Sequence, residues 1–340
     1  MKKTAIVILN WNGKDMMRRF LPTVVAHSTN EADVYVADNG STDGSIDMLE
    51  KEFPEVRTIC LPQNYGFAEG YNQALCQIEA EYFLLLNSDV EVTPKWLEPL
   101  HHYMDSHPEV AVCQPKLLDQ KRKDYFEYAG GCGGYLDRYG YPFCRGRIFH
   151  HVEQDLGQYD DIQSVLWATG AALMIRKTDW EAVGGLDGSF FAHMEEIDLC
   201  WRLRSRGRGI VCIPQSVVYH VGGASLAQGN PRKTFLNFRN NLLMLYKNLP
   251  ENELHTVMRH RALLDHVAAC KFLLTLDVAN ARAVWRARKE FHRIRAQYDN
   301  ARRENLQHAT TTDLPERTNN SILWQFYAKG RRTFKQLMLR

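Results

Sequence analysis

Tyr82-Phe83-Leu84-Leu85-Leu86-Asn87-Ser88-Asp89-Val90 is the stretch on which the reading of this chain turns. Five apolar or aromatic residues give way at once to Asn87-Ser88-Asp89. That is the pattern of a strand buried on both faces whose carboxyl end delivers one acid into a crevice, where open α/β sheets place their ligands. A strand that merely ends in a polar turn has the same local look, so the flanking sequence decides.

Upstream, Ala5-Ile6-Val7-Ile8-Leu9 is an apolar, β-branched run that stops at Asn10-Trp11-Asn12-Gly13. Met16 to His27 carries apolar residues at helical spacing, and Val34-Tyr35-Val36-Ala37 forms a second strand ending in Asp38-Asn39-Gly40-Ser41-Thr42-Asp43-Gly44-Ser45. A further helix and a short strand, Val56 to Leu61, lead to Asn64-Tyr65-Gly66-Phe67-Ala68-Glu69-Gly70-Tyr71-Asn72, which opens the helix before Tyr82. Strand and helix alternating at this spacing predict βαβ units, hence an α/β fold with a mostly parallel sheet. Right-handed crossovers put the carboxyl ends of parallel strands at one edge, so the loops at Asn10, Asp38 and Asp89 are expected to converge. No G-x-G-x-x-G follows the first strand and no G-x-x-x-x-G-K-[ST] occurs, which argues against a dinucleotide fingerprint and a P-loop NTPase.

Downstream, Gly130-Gly131-Cys132-Gly133-Gly134 reads as a loop, and Val165 to Arg176 as a turn feeding a buried strand. His193-Met194-Glu195-Glu196-Ile197-Asp198-Leu199-Cys200-Trp201-Arg202-Leu203 opens a helix with three acids, which suits its dipole. Glu196, Cys200 and Leu203 share one helical face, so Glu196 points with residues that look inward. An inward carboxylate beside two others is harder to ionise, as a general base requires. His220 follows a last short strand, beside Gly222, Gly223 and Ser225.

The formal net charge of +2 conceals an asymmetry: residues 232–340 hold 21 Lys and Arg against 9 Asp and Glu, a balance of +12, which leaves −10 on residues 1–231. A basic tail on an acidic body suits an anionic membrane face, with Trp324 and Tyr327 beside Lys329, Arg331 and Arg332 fitting a headgroup zone. Nucleic acid is disfavoured because no recognition motif accompanies the charge. Met1-Lys2-Lys3-Thr4 runs straight into a strand and does not read as a signal peptide, and the eight scattered cysteines include no C-x-x-C pair. A cytoplasmic setting follows as the expectation. The apolar segment Leu263 to Leu276 is broken by Asp265, His266 and Lys271, so no membrane span is expected.

Taken in order, Asn10-Trp11-Asn12, Asp38 to Ser45, Asn64 to Asn72, Leu86-Asn87-Ser88-Asp89, Thr169-Gly170-Ala171 and Glu195 to Arg202 resemble a family 2 glycosyltransferase of the GT-A fold, nearest to the bacterial rhamnosyltransferase-like branch that builds surface polysaccharides. The resemblance covers roughly residues 4 to 250. It implies residues 1–231 as the GT-A domain (1–110 for the nucleotide-sugar, 111–231 for acceptor and catalysis) and 232–340 as a helical, basic, membrane-associating extension. It further implies an inverting transfer, of hexosyltransferase type with rhamnose a candidate sugar, from a UDP- or dTDP-linked donor to a saccharide or polyprenyl-linked acceptor at the inner face of the cytoplasmic membrane.

On the same resemblance, Asn10, Asn12, Asp38, Asn39, Gly66, Asn72, Asn87, Thr169, Gly170 and Arg202 belong to the nucleotide-sugar site. Asp89, helped by His220, holds Mg²⁺ or Mn²⁺, and Glu196 is the base, with Glu195 and Asp198 beside it. The chain departs from the family pattern twice: Asn87 stands at the first position of D-x-D, and Glu196 at the second position of the E-D pair. Two other classes fit less well. A nucleotidyltransferase would show a Gly- and Arg-rich phosphate loop where Asn10-Trp11-Asn12-Gly13 stands, and a catalytically impaired sugar-nucleotide-binding scaffold would release no nucleoside diphosphate.

Overall fold

The computed structural model describes residues 2–222 and 229–337; Gly223 and Ser225 lie outside them. The chain begins with strict alternation: β1 (Thr4–Asn10), α1 (Lys14–Ser28), β2 (Ala32–Asp38), α2 (Ser45–Glu52), β3 (Arg57–Cys60), α3 (Gly66–Leu75) and β4 (Tyr82–Leu86). These four strands are parallel in the spatial order β4-β1-β2-β3. Every residue of β4 is buried, because helices cover both faces of a parallel sheet.

After β5 (Val90–Val92), α4 (Leu97–Ser106) and β6 (Val110–Asp119), a small antiparallel sheet is formed by β7 (Gly134–Leu136), β8 (Pro142–Cys144), β9 (Arg147–Ile148) and β10 (His151–Val152). The main sheet resumes with β11 (Gln163–Ser164) and β12 (Ala172–Arg176), and then α5 (Lys177–Ala182) and α6 (Glu195–Ser205) precede β13 (Gly209–His220). Its path is β11-β13-β6-β12-β4-β1-β2-β3, with β5 also on β13.

Two register facts place the site. β12 is antiparallel to β4, with Ala172 opposite Leu86. The Thr169-Gly170-Ala171 turn therefore meets the carboxyl end of β4. β13 runs parallel to β6 and antiparallel to β5, with His220 opposite Asp119 and Val90. The converging edge expected from sequence is present. The last strand differs from expectation: it is one 12-residue strand that includes Val217 to His220. Pro214 cannot donate to the ladder, the register slips between Ile213 and Val217, and the sequence pattern breaks there.

The later helices are α7 (Pro231–Asn248), α8 (Glu251–Leu274), α9 (Val278–Ile294) and α10 (Asp299–His308). α7 buries Leu242, Leu243, Met244 and Leu245 completely, and further on Arg204 pairs with Glu316 at 2.7 Å. Among the described residues no helix is long and apolar enough to cross a membrane.

Candidate active site

The loops after β1 and β2 are sewn together by side-chain amides. Asn10 donates to Asp38 Oδ1 at 2.9 Å and Ser41 Oγ at 3.1 Å, while its own Oδ1 accepts from the Gly13 N–H at 3.1 Å. Asp38 Oδ2 accepts from the Ser41 N–H at 2.9 Å. Asn12, in the left-handed region at φ 51°, accepts from the Thr42 N–H at 2.8 Å. Asn39 extends the network to the third loop, donating to the Gly66 carbonyl at 2.9 Å and accepting from the Tyr65 N–H at 3.0 Å. Trp11 is 55% exposed on this rim.

Gly66 sits at φ +79°, with Phe191 where its Cβ would be. The Phe191 carbonyl accepts from the N–H groups of Phe67 and Ala68, at 2.6 and 3.3 Å, which caps α3. Asn72 and Arg202 meet the same turn from two sides. Asn72 accepts from the Leu186 N–H at 3.0 Å and donates to the Leu186 carbonyl at 2.9 Å. Arg202 donates to the carbonyls of Val183 at 2.5 Å and Gly185 at 2.7 Å. The polar atoms of both are thus engaged within the protein, positioning residues 183–186.

The segment before α6 is strained: Phe191, His193 and Met194 have φ of 65°, 73° and 74°. Non-glycine residues hold such angles only where surroundings enforce them. Asn240 of α7 does so, donating to the carbonyls of Phe190, Ala192 and His193 at 2.9, 3.0 and 2.8 Å. Neither this strain nor its restraint was readable from Phe-Phe-Ala-His-Met, which contains no glycine.

α6 then presents its three acids in different states. Asp198 is fully buried and takes hydrogen bonds from Lys247 at 2.9 Å, Asn248 at 2.8 Å and Arg202 at 3.0 Å. Burial alone would raise its pKa, yet the Lys247 and Arg202 charges hold it below the usual carboxylate range. Glu195 is buried and Glu196 partly buried, and in each Oε2 has no hydrogen-bond partner among the described residues. Burial and the charges of Glu196 and Asp198 push Glu195 well above the usual range. Burial pushes Glu196 up to about 7.

Gly170 keeps space open before Glu196, since a Cβ there would lie 3.0 Å from the Phe67 ring and 3.9 Å from Glu196 Cβ. Thr169 holds this turn through its N–H to Gln114 Oε1 at 2.9 Å.

At the end of β4, Asp89 Oδ1 lies 3.1 Å from His220 Nε2, and Asp89 Oδ2 accepts from the Gly222 N–H at 3.2 Å. Asn87 Nδ2 is 3.4 Å from the same His220 nitrogen. On the other side, His220 Nδ1 faces Glu127 Oε1 at 3.3 Å as an ion contact without hydrogen-bond geometry. Burial would lower the His220 pKa, but Glu127 and Asp89 raise it to about 10. His220 in turn holds Asp89 below the carboxylate range against its own burial.

A buried carboxylate hydrogen-bonded to an imidazole forms a donor set that a divalent cation could occupy in place of the imidazole proton. Among the described residues no three His, Cys, Asp or Glu side chains form a ready metal cage. That fits an ion held by one or two protein ligands plus substrate phosphates. Glu127 was absent from the sequence-predicted set, and nothing in Phe-Glu-Tyr distinguishes it from a surface acid.

The family model for glycosyl transferase family 2 matches residues 5–151. One relative is the N-acetylglucosaminyl-diphospho-decaprenol L-rhamnosyltransferase of Mycobacterium tuberculosis, 24% identical over 233 residues that cover 63% of this chain and 75% of that protein. Among solved structures, S. aureus TarS 1–349 in complex with UDP-GlcNAc matches with a TM-score of 0.57 at 15% identity, over 91% of this chain and 89% of that one. The mannosyltransferase PcManGT from Pyrobaculum calidifontis, in complex with GDP-Man and Mn²⁺, matches with a TM-score of 0.52 at 11% identity, over 90% and 84%. Residues 5–151 thus carry a glycosyl transferase family 2 domain, and the chain has the GT-A fold of these glycosyltransferase structures.

Proposed function

We propose that the protein moves a sugar, with rhamnose a candidate, from a UDP- or dTDP-linked donor to a saccharide or polyprenyl-linked saccharide, with inversion, in the synthesis of cell-surface polysaccharide. The observation that carries this reading is Glu196 Oε2, without a hydrogen-bond partner among the described residues, behind the Gly170 turn that meets the carboxyl end of β4, after which Asp89 pairs with His220. Glu196 takes the proton of an acceptor hydroxyl, that oxygen attacks the anomeric carbon, and the nucleoside diphosphate departs. Glu195 and Asp198 set the charge around the base, and Asn240 holds the turn that aims it. The loops joined by Asn10, Asn12, Asp38 and Asn39 form the nucleotide end, with Thr169 and Asn87 lining the floor. Asn72 and Arg202 shape this end through residues 183–186.

Asp89 and His220 would hold Mg²⁺ or Mn²⁺, which when bound neutralises charge on the leaving diphosphate. The Mn²⁺ of the Pyrobaculum enzyme supports this assignment, and the acceptor named for the mycobacterial relative supports a polyprenyl diphosphate.

We assign residues 1–231 to catalysis, with 1–110 binding the donor and 111–231 the acceptor, and 232–340 to contact with the inner face of the cytoplasmic membrane. α8 supports the second assignment because its polarity is inside out. Arg261 and Asp265 are buried and paired, with Arg288 joining at 2.6 Å. Leu263, Val267 and Leu274, spaced along one face, are 65%, 58% and 85% exposed. Lys271 of α8 and Arg282, Arg286 and Lys289 of α9, which packs beside it, are also exposed, and Lys271 lies over Tyr327, 5.6 Å from its ring centre. An isologous pair of copies would set these cations against themselves, whereas an anionic lipid surface meets both features.

The test is a donor screen. Heat protection by each sugar nucleotide with Mn²⁺ or Mg²⁺ identifies the donor, and release of nucleoside diphosphate with acceptor present identifies transfer. Protection with no release under any acceptor would leave a binding scaffold in its place.

A further inference from the structure

Arg147 of β9 is buried, 7% exposed. The other buried arginines among the described residues, Arg145, Arg202, Arg261 and Arg302, each pair with a carboxylate. Arg147 makes no such pair. Its Nη2 donates to Cys144 Sγ at 3.4 Å, its guanidinium lies 4.7 Å from the centre of the Tyr128 ring, and its Nε has no partner among the described residues. A guanidinium stays charged at any working pH, and a buried charge without a counter-ion is strongly destabilising. A fold that keeps one open in this way is built for an anion that arrives from outside.

The position narrows the anion. Glu127, the acid nearest in effect to Arg147, is already engaged: Oε2 takes the N–H groups of Ala129 and Gly130 at 2.7 and 2.9 Å, and Oε1 faces His220. Cys144, which Arg147 touches, lies within the field of Glu196 as well. A Cβ on Gly131 would lie 3.6 Å from Cys144 Cβ and one on Gly130 would meet the Thr169 side chain, so Arg147, bonded to Cys144, adjoins the turn that Glu127 and Thr169 share with the site.

We infer that Arg147 binds a phosphate oxygen of a diphosphate in the active site. The inference rests on the reading of Asp89 and His220 as the diphosphate end. The guanidinium fork matches phosphate geometry, and both the donor and a polyprenyl-linked acceptor carry a diphosphate.

The test uses full-length protein with Arg147→Met and Arg147→Lys, and three probes: UDP with Mn²⁺, inorganic pyrophosphate, and farnesyl diphosphate. Arg147→Met raises the melting temperature of the free protein, since an uncompensated charge is gone, and weakens pyrophosphate together with one other probe by about 10- to 100-fold. Loss of UDP alongside pyrophosphate assigns the donor diphosphate; loss of farnesyl diphosphate alongside pyrophosphate assigns the acceptor. Arg147→Lys keeps the charge and part of the binding. Unchanged affinity for all three probes in both variants overturns the inference, as does a lower melting temperature with unchanged affinity, the mark of a purely structural arginine. The underlying reading is tested separately with Asp89→Asn. If UDP binding ignores both Mn²⁺ and that substitution, the diphosphate end has been misassigned, whatever Arg147 does.

Discussion

Lys247 Nζ lies 2.9 Å from Asp198 Oδ2, so a lysine of α7 neutralises a fully buried acid on the helix that carries Glu196. Replacing it by Met leaves Asp198 with Arg202 and Asn248 alone. We expect a loss of about 3 kcal/mol, the low end for breaking a buried pair because Arg202 remains. Asp198 has a depressed pKa in the folded state. Its contribution is therefore fully present above its unfolded pKa of about 3.9 and is lost as pH falls through the lower folded value. Urea titrations of wild type and Lys247→Met should differ near neutrality and converge in acid. A constant difference down the acid limb would remove Asp198 from the explanation.

Glu196, raised to about 7, must be ionised to accept a proton. Turnover should climb as pH rises through that value and level off above it. Glu196→Gln should lower kcat by about 10²- to 10⁴-fold while UDP still binds. A raised carboxylate pKa also penalises the folded state at pH values above it, so the same variant should melt higher than wild type in mildly alkaline buffer. A wild-type profile that stays flat from about pH 6 to about pH 8 would shift the base elsewhere.

Gly66→Ala places a Cβ 2.5 Å from the Phe191 ring, at a φ of +79°. Left-handed strain alone costs about 1–2 kcal/mol. Relief must come from Phe191, whose carbonyl caps α3 and whose segment aims α6. The melting temperature should fall and the donor KM should rise together. A change in neither would mean that the turn is not held from this side.

The apolar face of α8 gives a separable prediction. The triple change Leu263→Glu, Val267→Glu and Leu274→Glu should abolish co-sedimentation with vesicles rich in phosphatidylglycerol and leave transfer to a soluble acceptor intact. Equal sedimentation of variant and wild type would remove this face from membrane contact.

The order of elements through β4, the shared edge of Asn10, Asp38 and Asp89, and the acids at the head of α6 were legible in the sequence. Strand and helix periods are local, and crossover handedness leaves few ways to assemble them. The continuation of β13 through Pro214 was hidden because a proline breaks the strand pattern even where pairing resumes beyond it. Glu127, Arg147 and Asn240 carry no local mark either, since each acquires its significance from a partner distant along the chain.

By itself, then, the sequence determined the alternating parallel sheet, the polar ends of its strands and the identity of the acids available there. Tertiary structure alone decided which of those acids are free. Asp198 is neutralised by a lysine 49 residues away, Asp89 is hydrogen-bonded to a histidine 131 residues away, and Glu196 Oε2 is left without a hydrogen-bond partner among the described residues. The physical reason is that ionisation inside a protein depends on burial and on charges within a few ångströms, and both are set by packing between distant segments.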